Sequence, residues 1–411
     1  VRRIVALADT DSYVKWAAAL LGGLDEEWDA ALLVVQTPLV VSPAQLRTAL
    51  SGSGLEPGAV SSVEYTELRE RLAALRPDVV VVAARGPLVR VLARDAAALS
   101  PRPVIVAGLP GISIPATRKA LHYRAQCDLF IVHSKRERRE FAALAAHYGL
   151  EQRFALATLP FARAAGTRPG GGAGTDLVFA AQARVPLERE DRLRVARLLV
   201  RAARADPSRR VVVKLRAAAG EQQTHVEHDG YPDLLAELGT LPANLVTSTE
   251  PMSRALDRAQ GLVTVSSTAA IEAVARGIPV IALDTFGVAP ELINEVLADA
   301  GLLAGEDDVV ERRFRQPVAG WRDDNYFHDQ DADDWVVRMN ELVAAGRAGQ
   351  LEARPALSRR GGALRDAWER KVALGGSDRT ASGSIAWAIG MPVRGAVRMV
   401  RRVTAQRPLA P

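Results

Sequence analysis

Cysteine occurs once in the 411 residues, at Cys127, so the chain can close no internal disulfide and offers no cysteine-based metal site. A lone cysteine fits a reducing compartment, and between apolar neighbours it reads as a small buried hydrophobe. No apolar run approaches the roughly 18 residues a membrane span needs. The opening VRRIVALADTD meets Asp9 after too short an apolar stretch for a secretory signal. These absences lead to the expectation of a cytoplasmic protein. Lysine is also scarce: only five of the 53 basic residues are Lys, set against 48 acidic ones. The net charge of +5 therefore lies on a mixed surface and gives no reason to expect a nucleic-acid partner.

What is present is a repeating pattern. IVALA (4–8), ALLVVQ (31–36), DVVVVAA (78–84), PVIVAG (103–108) and DLFIVHS (128–134) are apolar runs separated by amphipathic stretches, the signature of a parallel sheet covered on both faces. The Gly- and Pro-rich segment RAAGTRPGGGAGTD (163–176) interrupts the rhythm and reads as a linker. The rhythm then resumes in DLVFAAQ (176–182), a long Arg-rich helix over 188–205, RRVVVKLR (209–216), ANLVTST (243–248), GLVTVSS (261–267) and IPVIALD (278–284). The expected fold is α/β, with two Rossmann-like domains facing across a cleft and a helical, basic C-terminal tail. The expected division is 1–162 as a first domain, 163–175 as linker, 176–350 as a second domain and 351–411 as C-terminal helices and tail. Such sheets bind ligands at the carboxyl ends of their strands, which directs attention to the residues following each one.

In VTVSSTAAIEAVARGIPVI (263–281), Ser266, Ser267 and Thr268 stand where a strand gives way to a helix. One hydroxyl suffices for an N-cap. Three hydroxyls beside a helix N-terminus suit phosphate oxygens, so the run is a candidate phosphate site. Glu272 follows one turn into the helix, before Gly277-Ile278-Pro279-Val280. This segment resembles the donor site of nucleotide-sugar glycosyltransferases of the two-Rossmann-domain (GT-B) kind. The resemblance implies that Glu272 holds the donor's ribose and that Ser266 to Thr268 hold its phosphate. The Ser-Ser pair more narrowly resembles the bacterial sialyl- and polysialyltransferases and the capsule and teichoic-acid transferases, which use CMP- or CDP-linked donors. Where that group has a His-Pro pair, this chain has Lys214-Leu215-Arg216 at the end of RVVVKLR. Lys214 and Arg216 are candidate phosphate ligands or, alternatively, only the polar exit of a strand. The loop GEQQTHVEHDGY (220–231) carries His225 and His228; it reads as a substrate-contacting loop more than a metal site, since no third ligand stands at a defined spacing.

LADTDSYVKW (7–16) sets Asp9 and Asp11 directly after the first strand. The resemblance places a carboxylate general base on this acceptor-side domain, and both aspartates are candidates, the alternative being a helix N-cap. Tyr13 and Lys15 are candidates to line an acceptor pocket, while Trp16 reads as core. In GLPGISIPATRKALHYR (108–124), Gly108 and Gly111 permit close approach of backbone to ligand, and His122, Arg124 and His133 lie near the same edge. Asp128 to Ser134 resembles the sixth-strand exit of these transferases, with Ser134 as a helix cap. WRDDNYFHDQDADDW, within 303–340, is expected to form a surface loop leading into a helix.

From Thr380 to Pro411 there is no Asp or Glu and there are five Arg, at 394, 398, 401, 402 and 407. Val and Arg step together from Pro392, read as a helix start, so 385–407 is a candidate contact for an anionic membrane surface or a helix returning to the first domain.

The reading is a metal- and cofactor-independent glycosyltransferase for cell-surface polysaccharide. It would move a sugar from a nucleotide-activated donor, CMP- or UDP-linked, to a glycan or lipid-linked acceptor, with peripheral membrane contact. The alternatives are a CDP-glycerol-type polyol-phosphate transferase, a nucleotide-sugar epimerase, or a non-catalytic nucleotide-sugar-binding assembly protein.

Overall fold

A computed structural model of the chain describes residues 1–163, 174–215, 229–352, 354 and 362–392. Most of the expected linker, together with Arg216, His225, His228 and the tail beyond residue 392, lies outside the described residues.

Two parallel sheets form the framework. The first comprises β1 (Arg2–Ala8), β2 (Trp28–Val35), β3 (Val60–Val63), β4 (Val79–Ala83), β5 (Val104–Gly108), β6 (Leu129–Val132) and β7 (Phe154–Leu156), in the order β3-β2-β1-β4-β5-β6-β7. The second comprises β8 (Asp176–Ala180), β9 (Val211–Lys214), β10 (Leu245–Ser248), β11 (Ala259–Thr264), β12 (Val280–Leu283) and β13 (Leu303–Ala304), in the order β10-β9-β8-β11-β12-β13. Each is a Rossmann-like order, and each reverses direction beside its first strand: between β1 and β4, and between β8 and β11. At such a reversal the connections leave in opposite directions and open a crevice at the strand ends. The continuous apolar runs are explained by burial on both faces, as in β4, whose five residues are all buried.

The chain divides into two compact units, one of residues 1–108, 119–130 and 339–411, the other of 109–118 and 131–338. In the first, a core of β-sheet Val, Leu and Ile side chains takes in Cys127, whose thiol burial pushes up to about 12, which makes it inert. Trp16 is fully buried, as its helical spacing predicts. The helix Gly362–Leu374 packs against Gly86–Ala97 and sends Leu374 into the same core.

Three details differ from the sequence reading. The short strands β3, β7 and β13 carry too few apolar residues to stand out from their surroundings. The segment 303–340 is not a surface loop: Trp321 and Tyr326 are core residues, Trp335 is buried, and its aspartates pair with basic residues of the helix Lys135–His147, Asp323 with Lys135 and Asp324 with Arg139. Residues 381–392 are helical, so Pro392 does not begin the C-terminal helix; the small residues Gly383, Ala386 and Gly390 upstream of it make the inward packing that fixes the helix earlier.

Candidate functional site

The crevice of the second sheet lies between the ends of β8 and β11, and one residue from each side meets across it. Gln182, two residues beyond β8, donates from Nε2 to Ser266 Oγ at 3.1 Å and accepts the Ser266 N–H at Oε1, also at 3.1 Å. Ser267 turns the chain: its N–H donates to Thr264 Oγ1 at 3.0 Å and its Oγ accepts from Ala269 N–H at 3.2 Å, capping the helix Ala269–Ala275. Thr268, at the N-cap position, makes no side-chain cap bond. The three hydroxyls therefore have separate surroundings. Ser266 is buried against Gln182, Ser267 caps, and Thr268 is half-buried at the helix mouth.

Gln182 is itself held. The buried Arg192 donates to the carbonyls of Gln182 at 2.8 Å and Asp229 at 2.6 Å, and its guanidinium lies over the Tyr231 ring. A helical arginine thus pins the loop after β8 to the residues before the next helix.

Lys214 closes β9, the neighbour of β8, and is buried with Nζ donating to the Leu215 carbonyl. Burial lowers its pKa to about 8, with Glu250 a weaker opposing influence. A buried ammonium with a single carbonyl partner is under-solvated, and an anion beside it would relieve that cost. Glu272 is in the first turn of the helix Ala269–Ala275, where its carboxylate pairs with Arg276 at 3.2 Å, and Arg276 in turn pairs with Asp257 at 3.0 Å. Gly277, at φ 70°, ends that helix in the left-handed conformation that glycine adopts without strain.

The segment 109–118 brings Gly111 to the helix mouth. A Cβ on Gly111 would lie 2.7 Å from Thr268 Cγ2, so only glycine fits without displacement. The segment is tied down by the helix Lys135–His147, where Glu137 accepts from Ser113 N–H at 3.1 Å and from Tyr326 OH at 2.7 Å. His133 has Nδ1 2.7 Å from the Ala157 carbonyl and Nε2 3.0 Å from that of Leu109, so both ring nitrogens are occupied and it serves structure. Ser134 caps the same helix by accepting from Glu137 N–H at 3.0 Å.

At the crevice of the first sheet, Asp9 follows β1 and is buried. Its carboxylate accepts from Arg85 twice, from the backbone N–H at 3.2 Å and from Nε at 2.7 Å, so it also spans the reversal, here between β1 and β4. Burial nevertheless raises the Asp9 pKa, Arg85 only partly opposing it. Asp11 begins the helix Asp11–Leu21, where it and Lys15 remain half-buried and open to solvent on one side. Tyr13 is buried, its hydroxyl accepting from Arg124 at 3.1 Å, and Arg124 also donates to the Gly108 carbonyl at 3.0 Å. His122 faces Arg90, Nε2 to Nη1 2.9 Å apart, on the helix Arg118–Arg124. Among the described residues no group of three His, Cys, Asp or Glu side chains is placed to hold a metal.

Ser266, Ser267, Thr268, Lys214 and Gly111 thus gather around the second sheet's reversal or the helix beside it, and Asp9 stands at the first sheet's reversal. His122 and Glu272 are drawn into ion-pair or hydrogen-bond networks of their own. Gln182, Arg85 and Arg192 escaped the sequence reading. The only local signal was a polar residue just after an apolar strand, which Gln182 provides.

A family model described as "Putative glycosyltransferase (DUF6716)" matches residues 4–342. Among solved structures, the Staphylococcus aureus MnaA–UDP complex is 12% identical, covers 87% of this chain and all of its own, and superposes with a TM-score of 0.55. A protein described as a UDP-N-acetylglucosamine 2-epimerase of Listeria monocytogenes is 13% identical with a TM-score of 0.56, covering 86% of this chain and 98% of that one. The Methanocaldococcus jannaschii UDP-GlcNAc 2-epimerase in complex with UDP-GlcNAc and UDP is 12% identical with a TM-score of 0.53, covering 83% and 99%. No curated protein matches the chain. At these identities the likeness is one of fold, the two-Rossmann-domain GT-B build.

Proposed function

This chain belongs to the glycosyltransferase family whose model matches residues 4–342, and from that premise we propose that it transfers a sugar from a nucleotide-activated donor. The observation that carries the reading is the Gln182–Ser266 bridge across the reversal of the second sheet, where Rossmann-like sheets bind nucleotides. In this reading Ser267 and Thr268 donate to the donor's phosphates, Lys214 supplies the positive charge, and Gln182 holds Ser266 in place. Glu272 reaches the ribose once it leaves Arg276, and Arg216 and His225 are further donor ligands. The solved structures carrying UDP make UDP the first nucleotide to try, ahead of CMP.

The acceptor, a glycan or lipid-linked saccharide of a surface polysaccharide, engages the first unit near Lys15, Gly108 and His122. Its hydroxyl oxygen bonds to the anomeric carbon as the bond from that carbon to the phosphate oxygen breaks. The nucleoside diphosphate departs and the hydroxyl proton passes to an aspartate. Asp9 has both oxygens occupied by Arg85 and no exposed surface, so we assign the base to Asp11 and the orientation of Arg85 to Asp9. No metal takes part in this scheme.

The experiment is thermal denaturation of the chain with UDP, CMP, CDP, GDP and ADP, repeated on Ser266→Ala/Ser267→Ala. A nucleotide at about a hundred times its Kd adds about 2.7 kcal/mol. The expected result is stabilisation of the wild type by UDP and none of the double variant. Equal shifts in both proteins would remove the hydroxyl run from the donor site.

A second reading, a UDP-sugar epimerase, is favoured by the epimerases among the fold neighbours. It requires conversion of the UDP-sugar without any acceptor, whereas transfer releases UDP only in step with acceptor glycosylation.

A further inference from the structure

The helix over residues 381–392 is held firmly on its inward side. A Cβ on Gly390 would lie 2.2 Å from the Trp368 ring, and Ala386 is buried. The rings of Trp368 and Trp387 stack with centroids 5.5 Å apart. The supporting helix Gly362–Leu374 is fixed in turn by Leu374 in the core and by the pairing of Arg94 with Asp366. Arg370 pairs with the buried Asp378 at 3.0 Å, anchoring the turn between the two helices.

What the helix turns outward is apolar. Ile385 is 58% exposed, Ile389 51%, Met391 43% and Trp387 38%. Residues 380–393 contain no charged side chain. A packed helix that leaves four large apolar side chains in water marks an interaction surface.

The sequence that follows identifies the partner. From residue 394 to 407 there are five Arg and no Asp or Glu. Apolar side chains adjoining a purely cationic run complement a surface with an apolar interior and an anionic rim. A second copy of this chain would set one cationic run against another.

We propose that residues 381–407 dock the protein on an anionic lipid bilayer. Ile385, Ile389, Met391 and the edge of Trp387 enter the boundary between headgroups and acyl chains, and the arginines neutralise headgroup phosphates. The inference stands apart from the donor-site reading, since it uses none of those residues.

The test is flotation of the full chain with vesicles of phosphatidylcholine alone and of phosphatidylcholine with phosphatidylglycerol. Alongside the wild type run Ile385→Ser/Ile389→Ser and Arg398→Gln/Arg401→Gln/Arg402→Gln. The wild type is expected to float with the anionic vesicles and to release as salt rises. Each multiple variant is expected to bind about tenfold more weakly at an unchanged melting temperature, because the substituted isoleucines face solvent. The proposal is overturned if the wild type binds neither vesicle, or if either variant binds like the wild type. A wild-type dimer by light scattering that Ile385→Ser/Ile389→Ser converts to monomer would also overturn it, assigning the face to a second copy.

Discussion

Gln182 and Ser266 hold each other reciprocally, each giving one hydrogen and taking one at 3.1 Å, although 84 positions separate them. The pair fixes the distance between the ends of β8 and β11. Gln182→Ala strands the buried Ser266 N–H, which costs about 1–3 kcal/mol. Gln182→Glu keeps that acceptor but places a negative charge beside the proposed phosphate site. Chemical denaturation should show the Ala variant less stable and the Glu variant nearer the wild type. Calorimetry should show UDP binding weakened in both. A Glu variant binding UDP as tightly as the wild type would separate this bridge from phosphate recognition.

Lys214 gives the donor site a pH dependence. With its pKa lowered to about 8, the folded protein gives up this proton before the unfolded chain does. Between about 8 and the ordinary value of 10.5 the unfolded state binds more protons, so this group makes stability rise with pH in that window and leaves it flat below. Lys214→Met should then stabilise the unliganded protein at neutral pH, by up to about 3 kcal/mol. Ligand affinity runs the other way. A phosphate favours the ammonium, so UDP affinity should weaken above pH 8, approaching about tenfold per pH unit, with proton uptake on binding. Isothermal calorimetry in two buffers of different ionisation enthalpy measures that uptake. Lys214→Met should abolish it.

The framework was legible because the parallel strands bury both faces and so appear as unbroken apolar runs, VVVVA in β4 being the clearest. Position after a strand was enough to select Ser266, Lys214 and Asp9. Their partners were not legible, because what pairs Gln182 with Ser266, or Arg85 with Asp9, is strand order, which no local pattern records. Arg192 was hidden for another reason. In an Arg-rich amphipathic helix one buried arginine looks like its exposed neighbours, and only the three-dimensional arrangement shows its guanidinium on the carbonyls of Gln182 and Asp229. The acidic segment around Asp323 and Asp324 misled in the opposite sense, since its charges are partnered by Lys135 and Arg139 while Trp321 and Tyr326 beside them are core.

Gly111 and Thr268 are a steric pair. The backbone of Gly111 is not in the left-handed region, so only the 2.7 Å approach to Thr268 Cγ2 forbids a side chain there. Gly111→Ala should cost about 1–3 kcal/mol as the segment or Thr268 shifts. Thr268→Ser removes the obstructing methyl and keeps the hydroxyl, so the double variant should recover most of that loss. A double-variant cycle of melting temperatures reads the coupling, and purely additive losses would show that the segment yields elsewhere.

Asp9 and Asp11 are adjacent in role but not in environment, and substitution separates them. The raised pKa of Asp9 means that, above its ordinary value of 3.8 and up to its folded value, the folded state holds the proton longer. Its ionised carboxylate at neutral pH is therefore a net cost to stability despite Arg85. Asp9→Asn should accordingly remain folded at pH 7. Its stability relative to the wild type should decline toward pH 4, where the wild-type carboxyl regains its proton and that cost disappears. Its effect on turnover should be moderate and reach the reaction through the displaced Arg85. Asp11 begins a helix with its side chain half-buried rather than enclosed. Asp11→Asn should lower kcat by about 10²–10⁴ while UDP still stabilises the protein, because a base acts in the chemical step and not in donor binding. Rates and UDP-dependent melting of the two variants decide the matter together. Loss of turnover in Asp9→Asn with near-normal rates in Asp11→Asn would move the base to Asp9 and require Arg85 to swing away as the acceptor binds.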